Sequence, residues 1–285
     1  MSVPAVRFRP IGPDDEREIL ALWEKVAGDH YPLRSRLWRQ LTTDNPDFRA
    51  TDGLVALADA DERRPGALAR LGPVVGFGYL GRSRSLVHGR RAWSDEGWLQ
   101  VVAVSPGSQR QGIGRAMVER LLAGVREDGL TRVRIGGGVH YLFPGVPLDL
   151  PGARAFFARL GARFEHETYD VRAGLDGRAA TTRDQEALAA AGLTVRPMDR
   201  AEGDVFIAFL DASFGTDWVH DQTWAMSHGM AAHDVLLLVP AAAPGPPVTA
   251  DAIAGFATIH RRGPGPLFGP RFWEDLLEPA SGGLG

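Results

Sequence analysis

The 285-residue sequence contains no cysteine, which excludes disulfide scaffolds, thiolate metal sites and cysteine nucleophiles at once. Lysine is almost absent too. Lys25 stands alone, arginine supplies the other basic side chains, and the heavy use of alanine, glycine and proline makes this a coding bias more than a binding surface. Neither charge dominates, since 32 basic residues face 35 acidic ones for a formal net charge of -3. A chain so balanced lacks the basic face that nucleic acid or anionic lipid demands. No stretch approaches the roughly 18 consecutive apolar residues of a membrane span, and Met1 to Pro13 has no signal-peptide core, so a cytoplasmic protein is expected. The eight histidines never stand at the i, i+4 spacing of helical zinc sites, so no metal is expected, and no Gly-x-Ser-x-Gly elbow supports a serine hydrolase.

What remains is a globular composition, 44% hydrophobic and 24% charged, of a length that suits two domains. Alternation at Val6 and Phe8 predicts a strand, and the face formed by Ile19, Leu22, Trp23 and Val26 predicts a helix after Pro13-Asp14. A second helical piece around Leu37 and Leu41 follows the polar segment Asp29-His30-Tyr31-Pro32, and Leu54 to Ala58 with Val74 to Leu80 form a strand pair. Trp98 to Val104 is an apolar run too short for a helix and rich in β-branched residues, hence a buried strand. Ile113, Met117, Leu121 and Val125 at four-residue spacing make a helix capped by Gly129. Arg132 to Ile135 is a strand broken by Gly136-Gly137-Gly138, Ala153 to Leu160 a short helix, and Arg163 to Val171 a closing strand.

The opening pattern then returns. Arg196-Pro197-Met198 repeats Arg9-Pro10-Ile11, and an acidic helix start follows both. Val235 to Val239 matches the Leu54 strand, and Ala254-Gly255-Phe256-Ala257 matches Val75-Gly76-Phe77-Gly78. This predicts a first domain over 1–173, a linker over 174–192 able to carry a short helix, and a partial second copy over 193–285. That copy is expected to stop before its own fourth strand, leaving the edge of its third to be covered.

The segment Val104 to Arg115 joins a strand to a helix through a glycine-rich turn, and the unpaired amides at a helix N-terminus form an anion site that suits a pyrophosphate. A P-loop needs Lys then Ser or Thr where Arg115 and Ala116 stand, and a dinucleotide fold needs a third glycine where Met117 stands. Gln109, Gly112 and Gly114, preceded by Val104 and Pro106, fit a third pattern: Gln or Arg, any two, Gly, any, Gly or Ala. With the element order around it, and with Phe156-Phe157-Ala158-Arg159-Leu160-Gly161-Ala162 like that family's closing helix and turn, the chain resembles the GNAT N-acetyltransferase superfamily.

The resemblance implies an α/β (α+β) fold with a mixed central sheet flanked by helices, followed here by a partial second GNAT-like unit without the CoA motif. It implies acetyl-CoA as cosubstrate, its pantetheine along Val101, Val102, Ala103 and Val104 and its pyrophosphate on the amides of Gln109, Arg110, Gln111, Gly112, Ile113, Gly114 and Arg115. An amine then attacks the thioester directly, with a backbone N–H near Val102 for the oxyanion. Glu96 is the expected base. Phe157 stands where the family often has a tyrosine acid, which leaves Tyr141 as the substitute, or a thiolate that departs unaided. The acceptor walls fall near His30, Tyr31, Trp38 and Phe143-Pro144, and amino sugar, polyamine, peptide N-terminus and antibiotic all stay open. The partner is a small-molecule amine, not nucleic acid or membrane, and a homodimer is left open. The rival reading is a non-catalytic CoA-binding regulatory module.

Overall fold

A computed structural model of the protein describes residues 6–58, 72–87, 90–91, 95–138, 140–169, 174, 177, 179–242, 245–261 and 282–284. They divide into two compact units, one running to Glu165 and the other from His166.

The first unit contains β1 (Val6–Pro10), α1 (Glu16–Ala27), α2 (Ser35–Leu41), β2 (Gly53–Ala58), β3 (Val74–Arg82), a small hairpin of β4 (Leu86–Val87) and β5 (Arg90–Arg91), β6 (Glu96–Val104), α3 (Ile113–Glu127), β7 (Arg132–Ile135) and α4 (Pro151–Arg159). Its five-stranded sheet has the order β1-β2-β3-β6-β7, antiparallel except for the parallel pair β6-β7. Side chains alternate across β3. Phe77 faces Trp23 of α1 and Trp38 of α2 at ring-centroid distances of 6.2 and 5.8 Å. On the other face Leu80 joins Leu99 and the α3 residues Val118, Leu121 and Val125 in one cluster.

Glycines in β3 bring α3 close. A Cβ on Gly76 would stand 3.1 Å from the Met117 sulfur, and one on Gly78 would stand 3.2 Å from Leu121. Both positions therefore let the helix lie nearly on the strand's backbone, which fixes where its N-terminus points.

Arg163 to Val171 does not form the expected closing strand: residues 163–169 carry no strand, and 170–171 lie outside the described residues. Every side chain from 163 to 169 is exposed, so no face is buried to hold an extended segment in register. The hairpin β4-β5 was not foreseen from the sequence.

The second unit holds α5 (Thr182–Ala190), β8 (Leu193–Pro197), α6 (Gly203–Ser213), α7 (Thr216–Ser227), β9 (Val235–Pro240), β10 (Gly255–Arg261) and β11 (Gly282–Leu284), with sheet order β11-β10-β9-β8. α5 falls within the expected linker and starts on a reciprocal capping pair between Thr181 and Asp184. Contrary to the expectation that this copy ends before a fourth strand, β11 pairs with β10 from Ile259↔Leu284 to Arg261↔Gly282. A ladder uses only backbone groups, so Gly282 and Gly283 pair with the edge that β10 offers.

The repeat extends to atomic detail. Arg9 binds Asp15 through two hydrogen bonds of 2.6 Å, and Arg196 binds Glu202 through two of 2.7 Å. In each unit the same carboxylate also accepts a backbone N–H at the helix entrance, from Gly12 at 2.7 Å and from Asp199 at 2.9 Å. The strand's next residue continues alike, Ile11 N–H to Gly53 and Met198 N–H to Val235.

Glu202 is fully buried, and its hydrogen bonds from Arg196 hold its pKa at about 2, below the ordinary 4.5. A depressed carboxylate stabilises the fold fully above its unfolded pKa and loses that contribution as pH falls through the folded one. The Glu202–Arg196 pair should therefore contribute on the order of 3 kcal/mol at neutral pH, lost between about pH 4.5 and 2. Urea titrations across this range should show that loss for the native chain and a flatter profile for Glu202→Gln.

Candidate active site

The site is built where two parallel strands part. β6 and β7 pair from Glu96↔Arg132 to Leu99↔Ile135, and the ladder ends with Gly136 N–H on the Leu99 carbonyl at 3.0 Å. Beyond that point β6 runs on to Val104 alone on this side. Its start is clamped: Glu96, 4% exposed, takes hydrogen bonds of 2.9 and 3.2 Å from Arg134 and lies 3.2 Å from Arg132.

Gln100 marks the parting. On the β3 side the register steps from Tyr79↔Val101 to Leu80↔Leu99, so Gln100 is the extra residue of a β-bulge, which bends and twists its strand. Its buried amide donates to the Gly137 carbonyl at 2.9 Å and accepts the Leu142 N–H at 3.0 Å. A side chain thus satisfies backbone groups that a continued ladder would have paired.

The glycine run makes the turn away from β6. Gly136, Gly137 and Gly138 have φ of 73°, 72° and 80°, in the left-handed region that side chains disfavour. A Cβ on Gly136 would press on the Phe143 carbonyl at 2.5 Å, and one on Gly138 would enter the Trp98 ring. The chain then folds back, Gly137 N–H bonding Phe143 at 2.7 Å.

At the far end of β6, Gly112 caps α3 with φ 86° and ψ -8°. The first intrahelical bond comes from Ala116 N–H to Gly112, so helix geometry leaves the amides of Ile113, Gly114 and Arg115 without partners inside the helix. Gln109 braces the turn by donating to the Val104 carbonyl at 2.9 Å, and Gln111 to Gly107 at 3.1 Å. The Val101 and Ala103 carbonyls face β3, where they approach Gly78 and Gly76. Strand alternation therefore turns the Val102 N–H and C=O outward, to the side where β7 has left.

These features enclose a cleft of about 790 Å³, whose wall includes Leu99 to Val104, Ile135, Gly136, Trp23, Phe143, Pro147, Leu150, Phe156 and Phe157. Arg110, Arg115 and Arg159 are its charged residues, and no carboxylate lines it among the described residues.

Of the residues expected from sequence, Val101, Val102, Ala103, Val104, Gln109, Arg110, Gly112, Gly114 and Arg115 come together on this wall. Ile113 does not: it is 2% exposed and packs with Ala56 and Met117 beneath the turn. Gln111 also lies off the wall, as do Glu96, held by its arginines, and Tyr141. Phe157 lines the cleft and offers no proton donor. Phe143 lies on the wall as expected, whereas His30, Tyr31, Trp38 and Pro144 do not line it, and Gln100, Trp23, Arg159 and the loop residues Gly145, Val146, Pro147 and Leu150 were missed as wall residues. A polar amide inside the apolar run Trp98 to Val104 was the one available signal.

A five-stranded mixed sheet flanked by helices matches the GNAT fold. Residues 22–162 match the model of the Acetyltransferase (GNAT) family, and this part of the chain is a GNAT acetyltransferase domain. The chain is similar to a fungal structure described as a GCN5-related glucosamine N-acetyltransferase region of a multi-domain GH3 β-N-acetylglucosaminidase, at 20% identity and TM-score 0.70. That likeness covers 92% of this chain, which spans 28% of the fungal chain's length. Two further similar structures are the ribosomal-protein-S18-alanine N-acetyltransferase from Escherichia coli (16% identity, 55% of this chain and 76% of that chain, TM-score 0.37) and an aminoglycoside 6'-N-acetyltransferase from Acinetobacter baumannii (17%, 60% and 99%, 0.40). No curated protein matches the sequence significantly. Among the described residues no helix is long and apolar enough to cross a membrane, and no three metal-ligating side chains cluster.

Replacing Gln100 with leucine keeps the volume but strips partners from the Gly137 carbonyl and the Leu142 N–H, at a cost of about 2 kcal/mol or more. Gln100→Leu should lower stability by that amount in denaturant titration and speed exchange of the Leu142 amide relative to the β3 amides. Unchanged Leu142 protection would show that Gln100 does not hold the parting open.

Proposed function

We propose that the protein transfers an acetyl group from acetyl-CoA to a primary amine, in the cleft between β6 and β7. The parting of these strands next to the Gly112 cap carries this reading. The residues present suit the cosubstrate: a left-handed glycine leaves the α3 amides accessible, Arg110, Arg115 and Arg159 supply positive charge for phosphates, and the released β6 edge offers Val102 to amide groups. Acetyl-CoA supplies the activated thioester when bound. The protein's part is to hold the pyrophosphate on the α3 turn, to align the amine, and to direct the Val102 N–H at the charge that grows on the carbonyl oxygen, a contribution of about 2.7–4 kcal/mol per donor.

No wall side chain is a base in the neutral range, so an amine with an ordinary pKa near 10 gives its proton to water at the cleft mouth. In this reading Glu96 is a positioning residue that acts through the β6-β7 ladder, and thiolate departure proceeds without the tyrosine that Phe157 replaces. Phe157 also motivates the second reading, a CoA-binding module without turnover. In our reading the second unit, GNAT-like over 193–285, binds no CoA.

Titration calorimetry with acetyl-CoA should give one site per chain, abolished in a folded Gly112→Glu variant, whose carboxylate would repel the phosphates. A second site surviving that substitution would overturn the assignment. Release of free thiol with a panel of primary amines favours the enzyme; CoA binding with no thiol from any amine favours the module.

A further inference from the structure

The cleft is electrically polarised. Its charged wall residues are arginines, placed where the α3 turn and the end of α4 approach, while an acidic group stands beside the wall near its other loops. Asp149 lies between the wall residues Pro147 and Leu150, and His30 and Tyr31 follow the wall residues Val26 and Ala27. The Tyr31 hydroxyl donates to Asp149 Oδ1 at 2.5 Å, and His30 Nδ1 stands 3.4 Å from Oδ2. This contact ties the α1-α2 loop to the β7-α4 loop across 118 positions of sequence.

The tie is anchored at both ends. Trp23 Nε1 donates to the Tyr31 carbonyl at 2.6 Å, and the Tyr31 ring meets Phe143 edge-on at 5.0 Å. Trp23 and Phe143 are themselves wall residues, 6.0 Å apart between ring centroids. A neutral phenol thus fixes one carboxylate oxygen, leaving the negative charge of Asp149, 43% exposed, to be met by solvent, His30 or a ligand. No arginine or lysine forms a salt bridge with it among the described residues.

We propose that Asp149, oriented by Tyr31 and flanked by His30, is a specificity-determining site that recognises a second positive charge on the acceptor, so that diamines and polyamines are preferred over monoamines. The inference rests on the acetyl-transfer reading of the cleft. Asp149 binds the ammonium that does not react, while the reacting amine reaches into the cleft along the wall at Phe143. An exposed charge pair of this kind gives about a fivefold preference, sensitive to salt.

The test compares putrescine with butylamine, and cadaverine with pentylamine, by calorimetric titration into the free and the CoA-saturated full-length protein. The diamines should bind about fivefold more tightly than their monoamines, and the margin should shrink in high salt. Asp149→Asn, which keeps an acceptor for Tyr31, should abolish the margin, leave monoamine binding and acetyl-CoA affinity unchanged, and melt within a degree or two of the native chain. Tyr31→Phe should reduce the margin in part. Equal binding of diamine and monoamine by the native chain, or a margin that persists in Asp149→Asn, overturns the proposal. Failure of acetyl-CoA to bind, seen separately, would instead overturn the acetyl-transfer reading, because the amine titrations of the free protein are read without it.

Discussion

The cleft depends on a ladder that stops early. Parallel strands ordinarily continue together because each unpaired backbone group costs about as much as a lost hydrogen bond. Here β6 and β7 separate after Leu99↔Ile135 without that penalty, since Gln100 offers its amide to Gly137 and Leu142 at the point of parting. The Glu96–Arg134 clamp holds one end closed, and the Gly136-Gly137-Gly138 turn carries β7 away at the other. A released strand edge inside a folded protein is a liability unless something occupies it. Here the edge lines the cleft.

The edge would be of little use without an anion site at a fixed distance from it. In the proposed reading α3 provides one, because its approach to the sheet is set by contact with backbone: Gly76 and Gly78 admit Met117 and Leu121 closely enough that the helix axis has little freedom. Gly112 then orients the first turn. The position of the helix N-terminus therefore follows from packing beside the β3 glycines.

The two units share more than an element order. An arginine just before a proline strand end, bound through both nitrogens to a carboxylate six residues on, closes the strand-to-helix entrance in each, with aspartate in one and glutamate in the other. The longer glutamate reaches further and also accepts the Val248 N–H at 3.0 Å. In the first unit β6 is nine residues long and leads to the Gly112 turn, and in the second Gly282–Leu284 pair with β10.

Sequence by itself determined the parts that local chemistry controls. The period of α3, the glycine turn before it, the apolar run of β6 and the returning Arg-Pro pattern were legible because each rests on spacing or on a residue's own conformational range. It failed where pairing or position in space decides. Arg163 to Val171 is expected as a closing strand, yet the described residues 163–169 join no sheet, whereas Gly282 to Leu284 pair because β10 is there. Glu96 stands just before the apolar run Trp98 to Val104, a place that suits a base, but only tertiary structure puts it in β6 and sets Arg134, 38 residues away, against its carboxylate. The link from Tyr31 to Asp149 is longer still, and no local pattern encodes it. A contact between distant loops exists only once the sheet and helices have brought them together, so the cleft's wall was decided by the fold and its turn by the sequence.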